Sequence, residues 1–527
     1  MTSSAKRSDH GEIWAVRGPA ILPIETRSPD EGDECGDRGA GAGAAAGWTD
    51  VSRDGRADEL GSGLGTAAGL GAPAGGALVA ARRDSERVAT GLVADAGIVI
   101  RDGQIVDAGD FDALMELARS ERQRDPQSLA PDWATALEHA RRWDGIILPG
   151  LVDLHCHGGG GQSFPDAANA DDAMVAVGEH RRHGTTSLVA SLVTDSPERL
   201  IGQTALLSQL YVAGELAGIH LEGPFLSTDR AGAQDPAKMQ APNPNLVRQI
   251  AEAARGGFAV MTIAPELAGV LPGSWTGEGG GAEAGRLSGR AAGGGPGGGG
   301  AASGAAEESV IEALAAVGAV ASFGHTNCTA EEMGAAVLAA DRLMAGGHFR
   351  IGRVATATHL FNGMPPIHHR RPGPALECLA RAAQAEMVVE LVADGVHLDP
   401  RTVKDVFVLA GRANVALVTD AMAAAGMPDG QYQLGPAAVT VAAGVARLTG
   451  GDSIAGGTAH LIDVVRSAWR SSGVPLAQAV GAASLAPARV LGQAARFGAL
   501  APGRQADLIL ADADLRPIEV YRHGRRV

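Results

Sequence analysis

The chain has 527 residues, a formal net charge of −16 and a pI near 5.4. That balance argues against non-specific binding to nucleic acid or to an anionic membrane, and it requires any anionic substrate to be met by a local basic patch. Its four cysteines, Cys35, Cys156, Cys328 and Cys378, show no paired spacing, so no disulfide framework or CxxC metal site is read; with no run near the ~18 apolar residues of a membrane span, a soluble cytoplasmic protein is expected.

Residues 1–145 are expected to supply the N-terminal part of a small β-sandwich. A Gly/Ala-rich stretch at about 31–76 interrupts them, and it cannot bury enough apolar surface to offset its ordering entropy. "AGIVIRDGQIVDAGD" reads as strand, turn, strand, with Asp102-Gly103 favouring a tight hairpin.

From 146 to 470 short apolar runs alternate with helical patterns. The runs are "IILPGLVDLHCH", "TTSLVASLV", "AGIHLEGPF", "FAVMTIAPE", "AVASFGH", "ATATHLFN", "VVELVADGVH" and "VALVTDA", which predicts consecutive βα units, a parallel sheet and a (β/α)8 barrel. Helix-start signals separate them: Thr329 with Glu332 forms a capping box, and Asp399 precedes Pro400 at a first helical position. A Gly-rich stretch at about 269–306, nearly devoid of apolar anchors, is expected to be an inert, disordered insertion. Residues 471–527 are expected to add a helix and further short strands that complete the β-sandwich.

In such a barrel the chemistry sits at the C-terminal strand ends. There the chain places His155 and His157, then Glu222, His325, His359, His397 and Asp420. His155 and His157 are two apart on a strand and so share a face; imidazoles and carboxylates together suit a first-row divalent cation, zinc first, with iron, manganese or cobalt as alternatives. A cation with an open coordination position activates water and polarises a carbonyl, so hydrolysis is the expected chemistry. The only lysines, Lys6, Lys238 and Lys404, fall in the tail, a polar loop and a helix, so no strand end carries one. The densest basic cluster of the barrel region is His368, His369, Arg370 and Arg371, suited to a phosphate. The glycines after His157 are expected to turn the chain sharply beside the substrate.

In combination "PGLVDLHCHG", "GIHLEGPFLS", "SFGHTNCT", "ATHLFNGMPP", "VADGVHLDP", "LVTDAM" and "GALAPGRQADLILAD" resemble the N-acetylglucosamine-6-phosphate deacetylases of the amidohydrolase superfamily, over about residues 90–525. The resemblance implies one or two divalent metals per subunit, with Glu222, His325 and His359 holding the main one. It implies His155 and His157 for a second and Asp420 near the first site as catalytic acid/base; many relatives in the superfamily bridge two metals with a modified lysine, and with no lysine at a strand end Glu222 is the candidate bridge. His397 is implied to contact the sugar; Asn362 and Gly363 lie beside the phosphate, and Ile454, Ala455 and Gly456 line the acetyl pocket. Gln234 stands where some members carry histidine. Arg370, with Arg371 as alternate, is implied to reach the phosphate across a homodimer interface. The implied reaction is deacetylation of N-acetyl-D-glucosamine 6-phosphate in amino-sugar catabolism or cell-wall recycling. The alternatives are another N-acyl amino sugar phosphate, such as the galactosamine epimer, or an inactive assembly protein.

Overall fold

The structure, a computed structural model, describes residues 13–25, 88–124, 130–273, 308–345 and 354–527. The predicted stretch 31–76 and most of the Gly-rich stretch 269–306 lie outside the described residues. Residues 269–273 are placed: Val270 is buried, and Val310 and Ile311 donate from their backbone N–H groups to the carbonyls of Gly269 and Val270 at 2.9 and 3.1 Å.

Eight parallel strands form the barrel: Leu151–Cys156, Thr185–Leu192, Gly218–Glu222, Phe258–Ile263, Val320–Phe323, Ala355–Ala357, Met387–Leu391 and Val415–Leu417. They pair in chain order from first to eighth. Strands covered on both faces read as continuous apolar runs, and every residue of Thr185–Leu192 is accordingly buried. The seam closes just beyond the eighth strand. Cys156 bridges Ala421, Asp420 donates its backbone N–H to His155 O at 2.9 Å, and Thr419 Oγ1 donates to Asp153 Oδ2 at 2.6 Å.

Capping follows the sequence signals. Thr329 and Glu332 exchange side chain-to-backbone bonds at 3.2 and 2.8 Å, and Asp399 accepts from the Arg401 N–H at the start of Pro400–Ala410. Each such cap satisfies backbone donors that the helix itself leaves unpaired, and contributes ~1 kcal/mol.

Both termini meet in a second sheet, separate from the barrel. Ile13–Glu25 pairs antiparallel with Val88–Arg101, which turns through Asp102-Gly103 into Gln104–Asp110. Both turn residues have positive φ, 50° and 78°, as the tight hairpin requires. Ile146–Pro149 joins Ile13–Glu25 to Leu508–Ala511 and Pro517–Arg522. Val16, Ile98, Ile100, Leu508 and Leu510 line one apolar cluster; Ala15 and Val99 meet Phe111, Leu114 and Leu137 in another. The strand Ile13–Glu25 and the helices Phe111–Arg124 and Ala130–Glu138 were not foreseen from sequence.

A further antiparallel meander, Gly430–Leu434, Ala437–Ala442 and Val445–Leu448, was also unforeseen. Its buried side chains Leu434, Val439, Val441 and Ala446 pack on Met422, Ala423, Ala424 and Ala455, so it roofs the end of the eighth strand. Among the described residues no helix is long and apolar enough to cross a membrane.

Candidate active site

The C-terminal strand ends converge on one buried cluster. Glu222 closes the third strand, and its Oε1 lies 2.9 Å from both His325 Nε2 and His359 Nε2, which follow the fifth and sixth strands. Its Oε2 faces His157 Nε2 at 3.2 Å and accepts from Gln234 Nε2. On the other side Asp420 Oδ1 lies 3.4 Å from the Nε2 atoms of His155 and His157, whose own Nε2 atoms are 3.0 Å apart. Two groups of three ligand atoms result, His155/His157/Asp420 and Glu222/His325/His359, each with its atoms within 4.8 Å of one another.

The backbone is bent to achieve this. His325, His359 and Asp420 adopt positive φ values of 46°, 26° and 47°, a region non-glycine residues rarely occupy and which clusters at functional sites. Gly363 is needed where it stands: at φ 61°, any Cβ would sit 2.9 Å from His325 Nδ1.

Burial alone would raise the carboxylates' pKa values, but the surrounding imidazoles reverse this and hold Glu222 and Asp420 below their ordinary values. Conversely, burial disfavours protonated His157, yet the hydrogen bonds to Asp420 and Glu222 prevail and carry it up to about 10. A concentration of imidazoles and anions in so small a volume suits a divalent cation, and two further observations support the fit. His325 Nδ1 donates to the Arg230 carbonyl, which leaves Nε2 as the ring nitrogen that a cation would take. The Nδ1 atoms of His155, His157 and His359 make no hydrogen bond, so their Nε2 atoms carry the polar contacts of these rings.

A cavity of about 350 Å³ opens onto the cluster. Of the sequence-predicted residues His157, Glu222, His325, His359, Asp420, Gln234, Asn362, Gly363, His397, Ile454 and Gly456 line it. His397 Nδ1 donates to Asp394 Oδ2 at 2.9 Å; burial opposes the imidazole's proton, and the carboxylate more than offsets this, raising its pKa. Ala455 is fully buried under the meander and does not line the cavity; its neighbours on either side do. His155 lies behind His157, fully buried. Arg370 is exposed and, with His368, His369 and Arg371, lies outside the lining of the single chain.

Several residues were not foreseen. Arg447, Asp452 and Ser453 line the cavity from the meander and the loop after it. Glu390, buried in the seventh strand, places Oε2 3.6 Å from His155 Nδ1, and His220 meets the His155 ring edge-on at 4.6 Å between centroids. Burial holds His220 neutral, with its two nitrogens bonded to Ser191 and Thr262. A charged or imidazole residue inside an apolar strand run was the available signal.

The model of the amidohydrolase family matches residues 146–272 and 301–527, more than half of the chain. The chain belongs to the amidohydrolase family. Within it, this amidohydrolase is similar to N-acetyl-D-glucosamine-6-phosphate deacetylase from Mycobacterium smegmatis, at 35% identity and a TM-score of 0.65, covering 83% of this chain and 96% of that one. A mutant of that enzyme has been solved in complex with N-acetyl-D-glucosamine-6-phosphate, again with a TM-score of 0.65. The N-acetylglucosamine-6-phosphate deacetylase of Bos taurus is 30% identical over 426 residues, covering 78% of this amidohydrolase and 90% of the relative. That of Bacillus subtilis is 28% identical over 435 residues, with 81% and 93% covered.

Proposed function

We propose that this amidohydrolase removes the acetyl group of N-acetyl-D-glucosamine 6-phosphate by hydrolysis, giving D-glucosamine 6-phosphate and acetate. The observation that carries this reading is the convergence of Glu222, His325 and His359 with Asp420 on one cavity, in a chain that covers nearly the whole of a 35% identical deacetylase.

One or two divalent cations are assigned, zinc first by its match to imidazole and carboxylate ligands, with iron, manganese or cobalt as alternatives. Glu222, His325 and His359 would hold the main cation; His155 and His157, with Glu222 between the two groups and Asp420 beside them, would hold a second. When bound, the cation supplies Lewis acidity toward the acetyl oxygen and toward water. Asp420, held ionised, accepts the proton of the attacking water and returns it to the departing amine, which would otherwise leave as an unstable anion. His397, oriented by Asp394, donates to a sugar hydroxyl. Gln234 is tied on one side to Glu222 and on the other to the Thr194 N–H at 2.8 Å, so it presents a fixed amide to the sugar. Asn362 and Gly363 flank the substrate, and Ile454 and Gly456 wall the acetyl group.

The assembly proposed is a homodimer in which Arg370 of the partner subunit reaches the phosphate, consistent with its exposure here. The cytoplasm is the compartment proposed, with amino-sugar catabolism or wall recycling as the setting. Acetate release by metal-replete protein from N-acetylglucosamine 6-phosphate, its galactosamine epimer and the unphosphorylated sugar tests the reading. Release from the glucosamine phosphate above the other two is expected. Preference for the epimer moves the substrate, and no acetate from any leaves an inactive assembly protein.

A further inference from the structure

The proposed substrate carries a phosphate dianion, yet the cavity of the single chain is lined by three carboxylates, Glu222, Asp420 and Asp452. Its imidazoles are committed elsewhere: His157, His325 and His359 belong to the cation-binding groups and His397 is paired with Asp394. Among the described residues one arginine and no lysine lines the cavity, and it is Arg447.

Arg447 is held but not consumed. Its strand, Val445–Leu448, is the last of the meander, and its backbone bridges Ile454 across the loop. Its Nη1 donates to the Asp452 carbonyl at 2.5 Å. A guanidinium has five N–H donors in a planar fork, so most remain for an incoming anion, and among the described residues no carboxylate forms an ion pair with Arg447. Exposed and yet part of the lining, it stands where the cavity meets solvent.

We infer that Arg447 is a specificity-determining residue that meets the anionic substituent of the sugar from within the same chain, opposite whatever a partner subunit supplies. The inference rests on the amino sugar phosphate reading above. It also accounts for the meander, which fixes the Val445–Leu448 strand over the eighth strand end. The packing of Ala446 against Met422 and Ala455 thereby sets where the guanidinium stands.

The test compares wild type, Arg447→Gln and Arg447→Lys. KM and kcat are measured with N-acetylglucosamine 6-phosphate and with N-acetylglucosamine, and the affinities for glucosamine 6-phosphate and glucosamine are measured by calorimetry on the metal-replete proteins. For Arg447→Gln the expected result is a rise in KM for the phosphorylated substrate of about 10- to 100-fold, the scale of a lost charged hydrogen bond. Its kcat and its kinetics on the neutral sugar stay unchanged, and Arg447→Lys recovers part of the loss. If both sugars weaken together, Arg447 only holds the Asp452–Gly456 loop and the inference is overturned; an unchanged KM for the phosphorylated sugar also overturns it. Should wild type release no acetate from the phosphorylated sugar, the substrate reading fails separately, and equal affinity of wild type and Arg447→Gln for glucosamine 6-phosphate then overturns the inference.

Discussion

His325 donates from Nδ1 to the carbonyl oxygen of Arg230 at 2.8 Å, which turns its Nε2 toward Glu222 Oε1 at 2.9 Å. The ring is thus oriented by a backbone group 95 residues away in sequence, and Nε2 is the nitrogen left for a cation to take.

Removing a member of this group should be costlier than removing the other pair. Glu222→Gln is expected to lose the main cation and to lower kcat by at least ~10³-fold. The double variant His155→Asn/His157→Asn is expected to lose no more than one equivalent. Metal content after dialysis, read beside acetate release, checks both. A fully loaded and active Glu222→Gln protein would remove Glu222 from the ligand set.

Asp420→Asn keeps the size of the side chain and takes away its capacity to carry a proton. Turnover is expected to fall by about 10²- to 10⁴-fold while the cation of Glu222, His325 and His359 is retained. Single-turnover acetate release with metal analysis decides; near-normal kcat would take Asp420 out of the acid/base role.

Thr419 Oγ1 is the shortest partner of buried Asp153, at 2.6 Å, and burial already pushes the Asp153 carboxyl up to about 6 despite that bond. Thr419→Val leaves a buried acceptor short of a donor and should cost ~1–3 kcal/mol. A urea midpoint indistinguishable from wild type would show that the barrel seam does not depend on this bond.

Arg141 donates from Nη1 and Nη2 to Glu519 at 2.7 and 3.0 Å, and Tyr521 adds a third bond at 2.7 Å. Bonding from Arg141 brings Glu519 down from 4.5 to about 2. A lowered folded value means that the stabilisation is complete above pH 4.5 and is lost as pH falls toward 2. With Arg141 half-exposed the contribution should be only ~1 kcal/mol. The gap in urea midpoint between wild type and Glu519→Gln is expected to narrow on going from about pH 6 to about pH 3 and to close only as pH approaches the folded value of about 2; a gap independent of pH would exclude the ionised pair.

Subunit exchange tests the proposed shared phosphate site. In an equal mixture of Arg370→Gln and Asp420→Asn chains, random pairing gives one competent site in about four, with Arg370 of the partner subunit serving an intact Asp420. At low substrate the mixture should recover about one quarter of wild-type activity, well above either variant alone. Activity equal to the average of the two variants would place Arg370 outside the partner's site.

The barrel was legible because its strands are apolar throughout, as Thr185–Leu192 shows, and because the polar residues that end them have no structural reason to sit there. The scarcity of lysine drew attention to Glu222, which the structure places beside His325 and His359. The strand Ile13–Glu25 was not legible: Gly18, Pro19 and Pro23 argue against a strand, and its partner lies at Val88–Arg101, beyond any local window. The meander was missed for another reason. Its first strand, Gly430–Leu434, carries one glycine and two glutamines around a single aromatic residue and leaves alternate positions exposed, so it resembles a polar loop until packed on the barrel. Arg447 was hidden with it, since an exposed arginine carries no pattern of its own.

The barrel's seam has a consequence for the order in which the molecule assembles. Thr419 and His155 touch across a separation of 264 residues, and the same few positions bring Asp420 to His155 and His157. During synthesis, the first strand therefore emerges long before the strand that completes the second ligand group. Contacts of such sequence separation are slow to form, so reaction chemistry is available only after the chain has closed upon itself, and a truncated or half-folded product is a silent one.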